Sequence, residues 1–124
     1  MAVKTVHTTN TGNLQFNSYS EFIDWHRSQA VDPNDLANFN LQQDLIRNLN
    51  QTYKDNNKLL ANSIEIVDGN KAVITKYWDS ENSLQDYMHD AEFSRPAFNF
   101  QENLYEQYNF VMSRTVELDV NLPG

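Results

Sequence analysis

The chain has no cysteine, and its longest apolar runs fall well short of a membrane span. The first absence removes disulfide staples, thiolate metal sites and a cysteine nucleophile together. Cations are scarce as well: nine lysines and arginines stand against 17 acids, for a net charge of -8 and a sequence pI near 4.6. A field of that sign repels polyphosphate backbones, and no Lys/Arg cluster overcomes it locally, so nucleic acid is not an expected partner. The first twenty residues lack the apolar stretch of a secretory signal, and a cytoplasmic protein is expected, with no membrane partner. The three histidines, His7, His26 and His89, lie far apart, and no metal, phosphate or nucleophile motif is present. No metal site or cofactor is expected. At 124 residues the chain suits one domain, 1–124, large enough to bury a core.

What is present is a clear alternation of elements. Val3 to Thr8 is β-branched and ends at the turn formers Asn10 to Asn13, which predicts a first strand. Ser18 and Glu21 have capping-box spacing, so a helix starts near Tyr19 with Phe22, Ile23, Trp25, His26 and Ala30 on one face. Asp32-Pro33 with Asp35 opens a second helix, carried by Leu36, Phe39, Leu45, Ile46, Leu49 and Tyr53 to near Asn56. Leu59 to Val67 and Lys71 to Trp78 are strands joined by Asp68-Gly69-Asn70, a tight-hairpin signal. Ser80 then caps a helix whose Leu84, Tyr87, Met88 and Ala91 share a face. Pro96 breaks or kinks it near Ser94 and Arg95, and helical spacing resumes from Ala97 to Tyr108. Phe110 to Val120 alternates with the period of a half-buried strand.

The order β, α (α), β, β, α, β predicts an α+β, ferredoxin-like βαββαβ fold: a four-stranded antiparallel sheet, helices on one face, and an extra helix before the second strand. The uncovered face would carry Val73, Thr75, Tyr77, Val111, Ser113, Thr115 and Glu117, a mixed surface suited to a homodimer packed through its sheets. Parity puts Trp78, Lys76 and Ile74 on the helix side together with Arg114. Lys76 has a stem long enough to snorkel out at the strand end. Arg114 sits mid-strand and needs either a carboxylate, with Glu102 or Glu106 as candidates, or an anionic ligand. His7 is assigned by parity to the uncovered face, His26 to a hydrogen-bonded boundary position and His89 to a solvated helix surface.

The run from Tyr77 to Phe98, YWDSENSLQDYMHDAEFSRPAF, resembles the signature of the antibiotic-biosynthesis-monooxygenase-like family of dimeric α+β barrels. Trp78, Ser80, Leu84 and Phe93 match it. Tyr87 stands where the family often has histidine, and His89 is two positions out of register. For the Trp, Asn and Tyr of cofactor-free quinone-forming members the matching positions are Trp78, Ile74 and Leu84, so only the tryptophan is kept. The stretch Arg95, Pro96, Ala97, Phe98 offers no histidine where haem-degrading relatives supply their ligand. The segment from Asp32 to Asn56 exceeds what compact members carry there, as a lid or added packing helix would.

The resemblance implies a cofactor-independent monooxygenase acting on a small aromatic or polyketide-like compound. Trp78, Arg114 and Tyr87 are the candidate catalytic groups, and Trp25, Tyr77, Phe98, Tyr105 and Lys76 are candidate ligand contacts. The same residues suit a binding module that performs no reaction, or a structural dimer with a filled interior. Filling and lining a pocket use the same aromatic side chains, so the sequence leaves all three open.

Overall fold

The computed structural model describes residues 1–94 and 99–123. Its elements follow in the order β1 (Ala2–Asn10), α1 (Tyr19–Gln29), α2 (Pro33–Asp55), β2 (Leu59–Val67), β3 (Lys71–Trp78), α3 (Glu81–Ser94), α4 (Phe100–Gln107) and β4 (Val111–Val120). Local chemistry accounts for most of the boundaries. Ser18 Oγ accepts the Glu21 N–H at 3.1 Å, and the Glu21 carboxylate takes the Asn17 N–H at 2.7 Å, one residue further back than in a standard capping box. Asp32 caps α2 through the Asn34 N–H at 2.8 Å, with Pro33 opening the first turn. The β2–β3 turn holds Asp68 and Gly69 at φ 55° and 74°, the left-handed pair that a two-residue hairpin favours. Gly69 is also closely approached, because a Cβ there would come within 2.0 Å of the Gln15 side chain. The break expected at Pro96 lies outside the described residues.

The strands form one antiparallel sheet in the order β2-β3-β1-β4, so the α+β, ferredoxin-like architecture holds. Pairing fixes the faces. Val3, Thr5, His7 and Thr9 of β1 lie opposite Trp78, Lys76, Ile74 and Ala72 of β3, and His7 lies opposite Arg114 of β4. Trp78, Lys76, Ile74 and Arg114 therefore share the helix side, as parity required, and His7 joins them there rather than on the uncovered face. Parity misplaces His7 because Thr5, Thr8 and Thr9 blur the alternation of β1. The informative pair was Val3, 5 % exposed and in the core, beside the more accessible Lys4. The uncovered face carries Lys4, Val6, Thr75 and Tyr77, with the Lys4 ammonium 5.8 Å from the Tyr77 ring centre. β4 is less covered than its alternation suggests. Residues 111–119 are all exposed, Met112 and Leu118 on the helix side among them.

The interior divides into two aromatic clusters at opposite ends of the β1–β3 ladder. At the Val3–Trp78 end, Val3, Leu59, Trp78, Leu84, Tyr87 and Tyr53 pack together, with Tyr53 arriving from α2. At the Ala72 end, Phe16, Phe22, Ala72, Leu104 and Tyr105 are joined by Trp25, Tyr108 and Phe110. The long helix α2 ties the two together. Near its start Phe39, fully buried, stacks on His26 at 5.2 Å. Near its end Tyr53 donates a 2.6 Å hydrogen bond to Asp90 of α3. Burying rings of this size supplies roughly 1.5–3 kcal/mol each.

Candidate ligand-binding cavity

Between the two clusters, over the middle rungs of the sheet, lies a half-open cavity of about 420 Å³. Its floor is Thr5, His7, Ile74, Lys76 and Trp78 from β1 and β3. Leu84, Tyr87, Met88 and Ala91 of α3 form one wall, and Gln42 and Ile46 of α2 close over it. Arg114 and Glu92 complete the lining. The segment 32–56 is a packing helix that also covers the cavity: α2 is anchored by Phe39 and Tyr53 and places Gln42 and Ile46 over the cavity between them. The α3 wall is the face its 3- and 4-residue spacing marks out.

Trp78 is 1 % exposed and donates its indole N–H to Thr5 Oγ1 at 3.1 Å. Its ring meets Tyr87 at 4.8 Å and Tyr53 at 6.1 Å between centres. Tyr87 donates its hydroxyl proton to Asn50 Oδ1 at 2.5 Å, and Lys76 Nζ approaches the same hydroxyl oxygen at 3.4 Å. Burial pushes the Tyr87 hydroxyl up to about 12. The Lys76 ammonium does not escape along its stem as expected; it stays within, 4.9 Å from the centre of the Tyr87 ring. Burial first, and then the Lys54 charge, bring its pKa down to about 8. His7 is also lowered, by burial and then by Lys76 and Arg114, which favours the neutral imidazole. Arg114 stands exposed at the mouth with Nη1 3.1 Å from Met88 Sδ, and is in none of the ion pairs among the described residues. Of the two alternatives for Arg114, the bridge to Glu102 or Glu106 is not formed among the described residues.

The structure brings four of the sequence-derived candidates, Trp78, Tyr87, Lys76 and Arg114, to this one cavity and leaves others elsewhere. Tyr77 projects from the opposite face of the sheet. Trp25 packs in the far cluster against Phe16, Tyr108 and Phe110. Tyr105 is buried there too, its hydroxyl 2.6 Å from His26 Nε2. Phe98 lies outside the described residues. His26 is core rather than boundary: Nδ1–H donates to the Phe22 carbonyl at 2.8 Å, so Nε2 is left to accept from Tyr105, and burial lowers its pKa to about 4. The residues sequence reading missed are Thr5, Gln42, Asn50 and Glu92, besides the misplaced His7. A signal existed for two of them. Gln42 and Asn50 fall at helical spacing within the stripe Phe39, Ile46, Leu49 and Tyr53, and polar side chains on an inward stripe call for a partner.

No protein-family model and no curated protein matches the chain. Among solved structures it is similar to a dimeric ferredoxin-like protein from an uncultured marine organism, at 12% identity and a TM-score of 0.50, over 100% of this chain and 95% of that one. It is also similar to a Deinococcus radiodurans protein provisionally described as an antibiotic biosynthesis monooxygenase, at 12% identity and a TM-score of 0.46, over 98% and 99% of the two chains. The likeness to the ferredoxin-like protein agrees with the strand order of the sheet, and the fold is ferredoxin-like.

Proposed function

We propose that the cavity takes a small planar aromatic compound with an acidic C–H or O–H, of the anthrone or quinol type, and that the chain promotes its oxidation by dioxygen without a cofactor. The observation that carries this reading is the position of Lys76, half-buried against Tyr87 in a largely apolar cavity, with its pKa brought down to about 8. A volume of about 420 Å³ is in the range of small-molecule sites. The neutral fraction of Lys76 removes a proton from the substrate, and Lys76 and Arg114 then stabilise the resulting anion. That anion reduces dioxygen itself. For a methylene flanked by aromatic rings, one oxygen atom becomes the carbonyl, the other leaves as water, and all four electrons come from the methylene carbon. Trp78 and Tyr87 supply the aromatic wall. Asn50, reaching Tyr87 from α2, provides an amide beside it although the strand position Ile74 does not.

An oxygen electrode tests the reaction. Uptake with an anthrone is expected, rising with pH as Lys76 deprotonates near pH 8, and lost in Lys76→Met. No uptake across anthrones and quinols at pH 6 to 9 would sink it. A non-catalytic binding module is the second reading. It is favoured because the Tyr87 hydroxyl and the Trp78 indole N–H are already engaged within the protein. In that case the same compounds raise the melting temperature without oxygen uptake. In either reading the chain acts as one domain that pairs with a second copy through its uncovered sheet face. The dimeric description of the ferredoxin-like neighbour supports this, and sedimentation would report a particle of twice the chain mass.

A further inference from the structure

On the other side of Lys76, between α2 and the β2–β3 hairpin, a second cavity of about 300 Å³ is lined by Arg47, Lys54 and Lys76 together with Asn50 and Asn62. Three of the nine cationic residues of a chain with net charge -8 converge there, and no carboxylate is among the described residues that line it. Like charges brought together repel, the more so where water is partly excluded, and an arrangement of this kind is favourable when an anion sits between them. The usual neutralisation by neighbouring acids is incomplete. Arg47 pairs with Asp44 at 3.0 Å on the solvent side, with the arginine 72% exposed. Lys54 is in none of the ion pairs among the described residues. Lys76 is within reach of a phenol, not a carboxylate. The lowering of the Lys76 pKa by Lys54 is the electrostatic trace of the same crowding. Asn50 accepts from Tyr87 through Oδ1, which leaves its amide NH₂ as a donor.

We propose that this second cavity is an oxyanion site, taking a phosphate or carboxylate group between Arg47, Lys54 and Lys76. Lys76 lines both cavities, so one molecule can place an aromatic body in the first and an acidic tail in the second. A free ion of the same chemistry would use the same cations. The site itself does not depend on the oxidation proposed above, and the tail assignment rests only on the aromatic reading of the first cavity.

Titration of ¹⁵N-labelled protein with inorganic phosphate, 2-naphthyl phosphate and neutral 2-naphthol separates these cases. The Asn50 and Asn62 side-chain amides report the second cavity. Both phosphates are expected to shift those amides, with binding about ten-fold weaker in Arg47→Gln/Lys54→Gln, while 2-naphthol binding is unchanged. Both residues are exposed at the rim of the cavity, and circular dichroism of the double variant confirms the fold. Saturation by inorganic phosphate alone supports a free-ion site, and saturation by the naphthyl ester alone supports the tail. If neither phosphate shifts Asn50 and Asn62, or the double variant binds both as tightly as the parent, the oxyanion site is wrong. If 2-naphthol fails to bind while inorganic phosphate does, the aromatic reading of the first cavity falls and the oxyanion site stands.

Discussion

The Trp78 end and the His26 end of the interior are built from the same materials, tyrosine, tryptophan, phenylalanine and one titratable group under a helix, yet one borders the cavity over the sheet while at the other the rings close on one another beneath an open groove at Phe100 and Leu104. At the closed end a set of polar side chains is paired among the packed rings: His26 with Phe22 and Tyr105, Tyr105 also with Gln101, and Tyr108 with Gln29. At the open end the rungs Thr5–Lys76 and His7–Ile74 line the cavity, with Tyr87 and Met88 of α3 to one side. α2 presents Gln42 and Ile46 there, between its anchors Phe39 and Tyr53. What distinguishes lining from filling is the residue opposite, supplied by a helix distant in sequence, and not the aromatic residue itself.

The contrast is sharpest in stability. Phe39→Ala, at a fully buried site stacked on His26, is expected to cost about 3–5 kcal/mol in urea unfolding, because the gap it leaves is enclosed. Acid should strike the same end next. The folded protein holds His26 neutral down to a pKa of about 4, whereas the unfolded chain takes up a proton from 6.5. Between those values the unfolded state binds more protons, so His26's contribution is intact above pH 6.5, is lost as pH falls, and stops changing below about pH 4. Urea midpoints from pH 7 to pH 4 check this, with a shallower fall expected in His26→Asn. Tyr87→Phe at the open end should cost only about 1–2 kcal/mol, by removing the hydroxyl that Asn50 and Lys76 share. Ile46→Ala on the cavity roof should cost least, about 1 kcal/mol, since that side chain already borders empty space. Equal losses for Phe39→Ala and Ile46→Ala would mean that the two ends are packed alike.

Much of this geometry could be read from the residues. The element order, the turn at Asp68-Gly69, the α3 face and the inward side of Trp78, Lys76 and Arg114 follow from periodicity and capping, which are local. The site was legible only in part. Tyr77 and Trp78 are adjacent and similar in kind, yet strand parity alone sends them to opposite faces, and Trp25 and Tyr105 look like pocket aromatics until Phe110 and His26 close around them. His7 was misplaced because β1 alternates weakly. Asn50 and Lys54 gain meaning only when α2 is laid across β3, a contact between segments more than twenty residues apart that no local pattern encodes.

An aromatic compound is expected to enter the interior at the open end and not at the closed one. Methyl resonances followed during titration with 2-naphthol distinguish the two ends. Saturable shifts are expected at Ile46, Ile74 and Met88, which line the cavity, with Ile23 and Leu104 of the far cluster unmoved. Shifts confined to Ile23 and Leu104, or no saturable shift at Ile46, Ile74 and Met88, would contradict entry at the open end.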